Sequence, residues 1–312
     1  MRQRSPASLS SPVQGAARTA PPAFSPAQVR GGLDRFHTQT NPTFHTPQGN
    51  AQVTVPFRMR GFPKIDAAVA SNASTLHAVA RRLGMSDGQI GLILAGRASP
   101  GALQRITQGL IDTKDVYAQQ LAQPGPADLP TRIREMMVNF GIGLDCAGYA
   151  KQAFVASHPG ASVAWKAAVD ENLSGLASRG FAKRDLLVAK TGDLIVLGVP
   201  PPGNTFGHTA IVYDARDATA QDRVLAEEAL NHISQTCTDM SSVVLGRVLV
   251  VDASWGSGGD FAAGGVQRRA WIQVLSSQQW LSVSLEEPKT YRLDTTPYGH
   301  PVEGAYRLTG SP

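Results

Sequence analysis

The sequence predicts an α+β chain in which helices come first and a mainly antiparallel sheet follows. Apolar residues recur at helical spacing through the first half of the ordered chain, while short apolar runs bounded by Gly, Pro and Asp dominate the second half. A hydrophobic content of 42% is enough for an ordinary packed core. Helices followed by a run of strands on short turns is the order of an α+β fold, whereas a parallel sheet needs helix and strand to alternate.

The elements come in this order. Residues 1–55 are rich in Pro, Ser, Thr, Gln and Gly and show no sustained period, which predicts a disordered tail. In 75–83 (TLHAVARRL), Leu76, Val79, Ala80 and Leu83 fall on one helical face, with Ser74 as N-cap and Gly84 as stop. Residues 86–94 and 101–111 predict two more short helices around a break at 96–100. The stretch QPGPADLP reads as a linker and places a boundary there, giving a small helical region over 56–125 and a second domain over 126–312. That domain should begin with helices over 131–140 and 146–157. Strands are then expected at 193–199, 208–213, 246–251, 266–274 and 305–308, with a helix inserted over 217–233.

Charge narrows the partners. The net charge of +5 is carried by the first 60 residues, which hold seven arginines and one acid. The remainder balances 22 basic against 23 acidic residues, so a nucleic-acid surface is not expected on the globular part. No apolar run has the length of a membrane span. The start of the chain is positive but lacks the apolar stretch of about 7–15 residues of a secretory leader. Its Arg/Ser/Ala-rich composition fits either secretion by another route, including delivery into a target cell, or a plain tail.

Two cysteines, Cys146 and Cys237, exclude a disulfide framework. Cys146 opens the helix of GLDCAGYAKQAF, with small residues at 147 and 148. Only a thiolate attacks, and the positive end of a helix dipole and a nearby imidazolium both lower a thiol pKa. A free backbone N–H at that position can join an oxyanion hole. Most lone cysteines are structural and buried. Chemistry is favoured here by the order of the downstream segments: TGDLIVL, then GHTAIVY with His208 at its start, then VVDASWG with Asp252. A nucleophile on a helix, a base on a strand and an orienting polar group on the next strand is the outline of a Cys–His–X site.

Asp145-Cys146-Ala147-Gly148-Tyr149, Gly192-Asp193-Leu194, Gly207-His208-Thr209-Ala210-Ile211-Val212 and Val251-Asp252-Ala253-Ser254 together resemble the NlpC-type cell-wall peptidases and their amidase-like relatives. The resemblance covers residues 128–312. It implies a papain-like fold, with N-terminal helices packed on an antiparallel β-sheet, and no cofactor. It implies Cys146 as nucleophile, His208 as general base and Asp252 as the third member, acting on a peptide or amide bond of peptidoglycan. Two features depart from the family pattern. Asp252 stands where His, Asn or Gln is usual, and 44 residues separate it from His208, a gap filled by the inserted helix. A carboxylate can still hold an imidazole tautomer.

Beside the site, Asp145 and Trp255 are candidates for lining the substrate cleft, although an acid at a helix start and a large aromatic each have a structural explanation as well. Asp193 is expected to be structural, Cys237 a bystander. No histidine has the companions of a zinc motif. Two further readings stay open. One is an effector protease, deamidase or acyltransferase acting on a host protein, with a secretion chaperone or immunity protein as partner. The other is a binding module with an inert cysteine domain, since LHAVARRLGMSDGQIGLILAGRASPGALQRI resembles a repressor-type helix-turn-helix in which Gln89 would face the major groove.

Overall fold

The structure, a computed structural model, describes residues 24–58, 63–122, 127–159, 181–198, 207–235, 239–256, 264–286, 289–297 and 301–308. Cys237 and the last residue of the expected strand 193–199 lie outside them. The architecture is α+β. Among the described residues, eight α-helices accompany an eight-stranded sheet that is antiparallel throughout. No helix among them is long and apolar enough to cross a membrane.

Of the expected disordered tail, residues 1–23 lie outside the described residues, and 24–55 are folded chain. Helix α1 (Pro26–Gln39) starts at a capping box in which Ser25 and Gln28 exchange hydrogen bonds, and it buries Val29, Leu33 and Phe36. Those three residues repeat at helical spacing, which outweighs the polar composition around them. A hairpin, β1 (Thr43–Thr46) and β2 (Gly49–Gln52), comes next and buries Phe44 and Ala51.

Helix α2 (Pro63–Arg82) runs well upstream of the expected start, so Ser74 lies inside it and not at its cap. The added stretch is alanine-rich, and alanine is the strongest helix former. Helices α3 (Asp87–Leu94) and α4 (Pro100–Ile111) sit close to their expected places, each capped by a serine, and α5 (Lys114–Gln120) is additional to the expected elements. Helix α6 (Leu129–Asn139) leads into α7 (Cys146–Ser157). No core boundary falls in the expected linker. One hydrophobic cluster joins Val29 and Leu33 of α1, Leu76 and Val79 of α2, Ile90 of α3 and Leu103 of α4 to Tyr149 and Phe154 of α7 and to the sheet. Small helices buried on one side need such a partner.

The sheet runs β3 (Phe181–Arg184), β10 (Val302–Leu308), β4 (Leu194–Leu197), β5 (His208–Asp217), β6 (Leu245–Trp255), β7 (Gly265–Val274), β8 (Gln279–Ser284), β9 (Tyr291–Asp294) in spatial order. Strands β3, β8 and β9 add to the five expected. The inserted helix is α8 (Ala220–Ser234), whose Ala226 and Ala229 pack on Val248, Val250, Ala270 and Ile272. Helices α1 and α7 cover the same face nearer β5, through Ile211, Leu194 and Val196. The opposite face carries Ile195, Leu197, Ala210, Val212, Ala253, Trp255 and Trp271.

Candidate active site

Cys146 is the first residue of α7, and the helix forms there for a local reason: the Asp145 side chain accepts the Gly148 N–H, closing the first turn. The loop between α3 and α4 abuts that turn. Asp145 N–H donates to the Gly96 carbonyl at 3.0 Å, and a Cβ on Gly148 would run into that same carbonyl. Gln152 Nε2 reaches the Arg97 carbonyl at 3.2 Å, and Arg97 Nε stands 4.0 Å from Asp145 Oδ2. The helical region thus builds one wall around the cysteine. Asp145, a candidate substrate contact, serves as the helix cap.

Burial and the Asp145 charge raise the thiol pKa, while the neighbouring backbone of Thr209, Ala147 and Cys146 itself acts the other way and favours a thiolate. The raising causes prevail, and the thiol is pushed up to about 12. At neutral pH it is protonated.

His208 begins β5 as expected, but alternation along the strand sets which way it points. It lies opposite Leu197 of β4, and its ring rests on Trp255 with centroids 4.1 Å apart. Both belong to the face away from α7. Trp255 is 1% exposed, donates from Nε1 to the Gln267 carbonyl at 3.2 Å, and is core and not an exposed cleft wall. The structure therefore brings the backbone of Thr209, and not the imidazole of His208, to Cys146.

Asp252 is not a third member beside His208. It lies opposite Ile211 in β5 and Arg268 in β7, on the α7 face. Arg268 binds it through two bonds, Nε to Oδ1 at 2.7 Å and Nη2 to Oδ2 at 2.9 Å. Burial pushes the Asp252 carboxyl up and Arg268 opposes this; a doubly bonded guanidinium partner at these distances is the signature of the ionised form. Asp193 is structural as expected, bound by Arg307 at 2.7 and 2.8 Å and by the Lys190 N–H.

Arg268 is the centre of a cluster the sequence did not disclose. Its Nη1 donates to Asp34 Oδ1 at 3.0 Å, and its guanidinium lies 3.5 Å from the centroid of the Tyr213 ring. The Tyr213 hydroxyl donates to Asp34 Oδ2 at 3.2 Å. His37 Nε2 is 2.7 Å from Glu286 Oε1. Helix α1 is thus tied by charge to the sheet over α7. The only sequence sign was the polar face of α1 itself, at Asp34 and His37.

No family model, curated protein or solved structure matches the chain.

The α1 tie makes a testable demand. Burial pulls the His37 imidazole down, but the Glu286 hydrogen bond and charge, with Asp252 beyond, raise it above its ordinary value of 6.5 despite the opposing Arg268. Its stabilisation is therefore complete below pH 6.5 and fades as pH rises through the higher folded value. Chemical denaturation should show the stability gap between wild type and His37→Gln shrinking as pH rises above 6.5. A gap that widens with pH would contradict the pairing.

Gln89, the residue a major-groove reading would need, is turned back on its own helix. Its Oε1 accepts the Ser86 N–H at 2.8 Å, and the neighbouring Ile90 and Ile93 are core.

Proposed function

We propose that the chain is a cysteine hydrolase of peptide or amide bonds, with Cys146 as nucleophile and peptidoglycan stem peptides as the substrate class. The observation that carries this is the place of the thiol: Cys146 is the first residue of a 12-residue helix, where the free backbone N–H groups and the positive end of the dipole gather. Such donors suit both a thiolate and the oxyanion of a tetrahedral intermediate. The four motif segments supply the rest, since His208 immediately precedes Thr209 on the strand that packs against the Cys146 helix.

In this reading the described state is a resting one, with a neutral thiol and the base parked on Trp255. Catalysis requires His208, the first residue of its strand, to leave Trp255 and turn toward Cys146. The sulfur then attacks the carbonyl carbon and its proton passes to the imidazole. His208 returns that proton to the leaving amine, and water hydrolyses the thioester. The orienting role is not assigned to Asp252, which Arg268 occupies.

A second reading has its own support. A thiol pushed up to about 12 and an imidazole stacked on Trp255 are what an inert cysteine domain would show. The chain would then be a binding module.

Digestion of purified sacculi separates the two. Mass spectrometry of the soluble fraction should show stem-peptide fragments with wild type and none with Cys146→Ala. Equal release by both, or none by wild type, would remove the peptidoglycan proposal. Toxicity of the chain in the periplasm of a bacterium, and not in the cytoplasm, would support a cell-wall substrate and delivery outside the producing cell. Toxicity confined to the cytoplasm would favour a host-protein target.

A further inference from the structure

A second site lies at the far end of α7. His158 follows the helix that Cys146 begins, about 18 Å away at 1.5 Å per residue. It is 4% exposed, stacked on Phe154 with centroids 4.2 Å apart and meeting Phe24 edge-on at 5.3 Å. Its Nδ1 is 3.1 Å from the Phe154 carbonyl and 3.0 Å from Ser157 Oγ. A carbonyl oxygen can only accept, so Nδ1 carries the proton and Nε2 presents a bare lone pair. Nε2 takes no hydrogen bond among the described residues.

That edge of the ring borders a cavity of about 140 Å³. Phe24, Val29, Phe154 and Leu308 make its walls largely apolar. Gly192, at φ +90°, keeps the imidazole edge open: a Cβ there would stand 3.0 Å from both Cε1 and Nε2. Nε2 opens onto that cavity, where its lone pair can accept from any donor that enters.

We propose that this cavity binds a small molecule about the size of one aromatic ring and without positive charge, which lays an apolar body against these walls and donates one hydroxyl to His158 Nε2. The size follows from the volume, since an apolar cavity of about 150 Å³ holds one benzene ring. The charge follows from the surroundings. Lys190 and Arg307 both line the cavity, which disfavours an ammonium ligand, and the Asp193 carboxylate beside them is already satisfied. Burial also lowers the His158 pKa, which keeps the ring neutral and accepting at pH 7.

The test uses the full chain with phenol and toluene, which match in shape and differ in the hydroxyl. The His158 ring-proton resonance, followed by NMR, should shift saturably with phenol, at a dissociation constant at least tenfold below that for toluene. His158→Phe should bring the two ligands to equal affinity. Equal affinities in wild type, or no shift with either compound, would overturn the proposal. That comparison needs no variant and stands even if His158→Phe fails to fold. The inference is independent of the role assigned to Cys146.

Discussion

Replacing Asp252 with alanine is expected to destabilise the fold by about 3–5 kcal/mol, the usual cost of stranding one partner of a buried ion pair. Asp252 is fully buried, and its partner Arg268 keeps only 18% of its side-chain surface exposed. Without the carboxylate, Arg268 would retain Asp34 at the exposed end of the cluster and lose both bonds at the buried end. A guanidinium keeps its proton under ordinary conditions even when a partner is removed, so it cannot escape by deprotonating. A double variant, Asp252→Ala with Arg268→Met, should recover part of the loss, because two apolar groups can replace a buried pair at little cost. Urea denaturation of wild type and both variants checks this. A catalytic carboxylate would behave otherwise: Asp252→Ala would keep its stability and lose only turnover.

This expectation reverses the sequence reading of Asp252, and the reason is geometric. The order of elements, the helix that starts at Cys146 and the strand that starts at His208 were legible, because spacing and capping are local signals. Which face a strand residue takes is fixed by register, and a shift of one residue turns every side chain over. Ile211 pairs with Asp252, and His208 lies three residues before Ile211, so the two side chains leave the sheet on opposite faces. No local pattern announces Arg268 as the partner, since it arrives on the next strand. Helix α1 was legible in principle. Val29, Leu33 and Phe36 and the Ser25–Gln28 capping box were all present, and the Pro/Ser/Gln-rich neighbourhood concealed them. The role of the α3–α4 loop could not be read, because Gly96 meets Asp145 only through backbone.

The other large effect concerns chemistry. Cys146→Ala should lower turnover by about 10³-fold or more while changing stability by about 1 kcal/mol or less, since it removes one sulfur atom and keeps the Asp145 cap intact. His208→Ala should cause a comparable loss, and the double variant should be no worse than either single one, as expected for groups acting as a unit. If His208 served only to pack on Trp255, its replacement would lower stability and leave turnover per folded molecule unchanged. Steady-state rates on sacculi, normalised to the folded fraction, distinguish these cases.

The nucleophile itself is tested most directly by trapping. Protein quenched in acid during turnover of sacculi, then digested and mapped by mass spectrometry, should carry a stem-peptide acyl mass on the peptide containing Cys146, and hydroxylamine should remove it. Fragment release that continues undiminished in Cys146→Ala, with no acyl mass on the Cys146 peptide of wild type, would contradict the account.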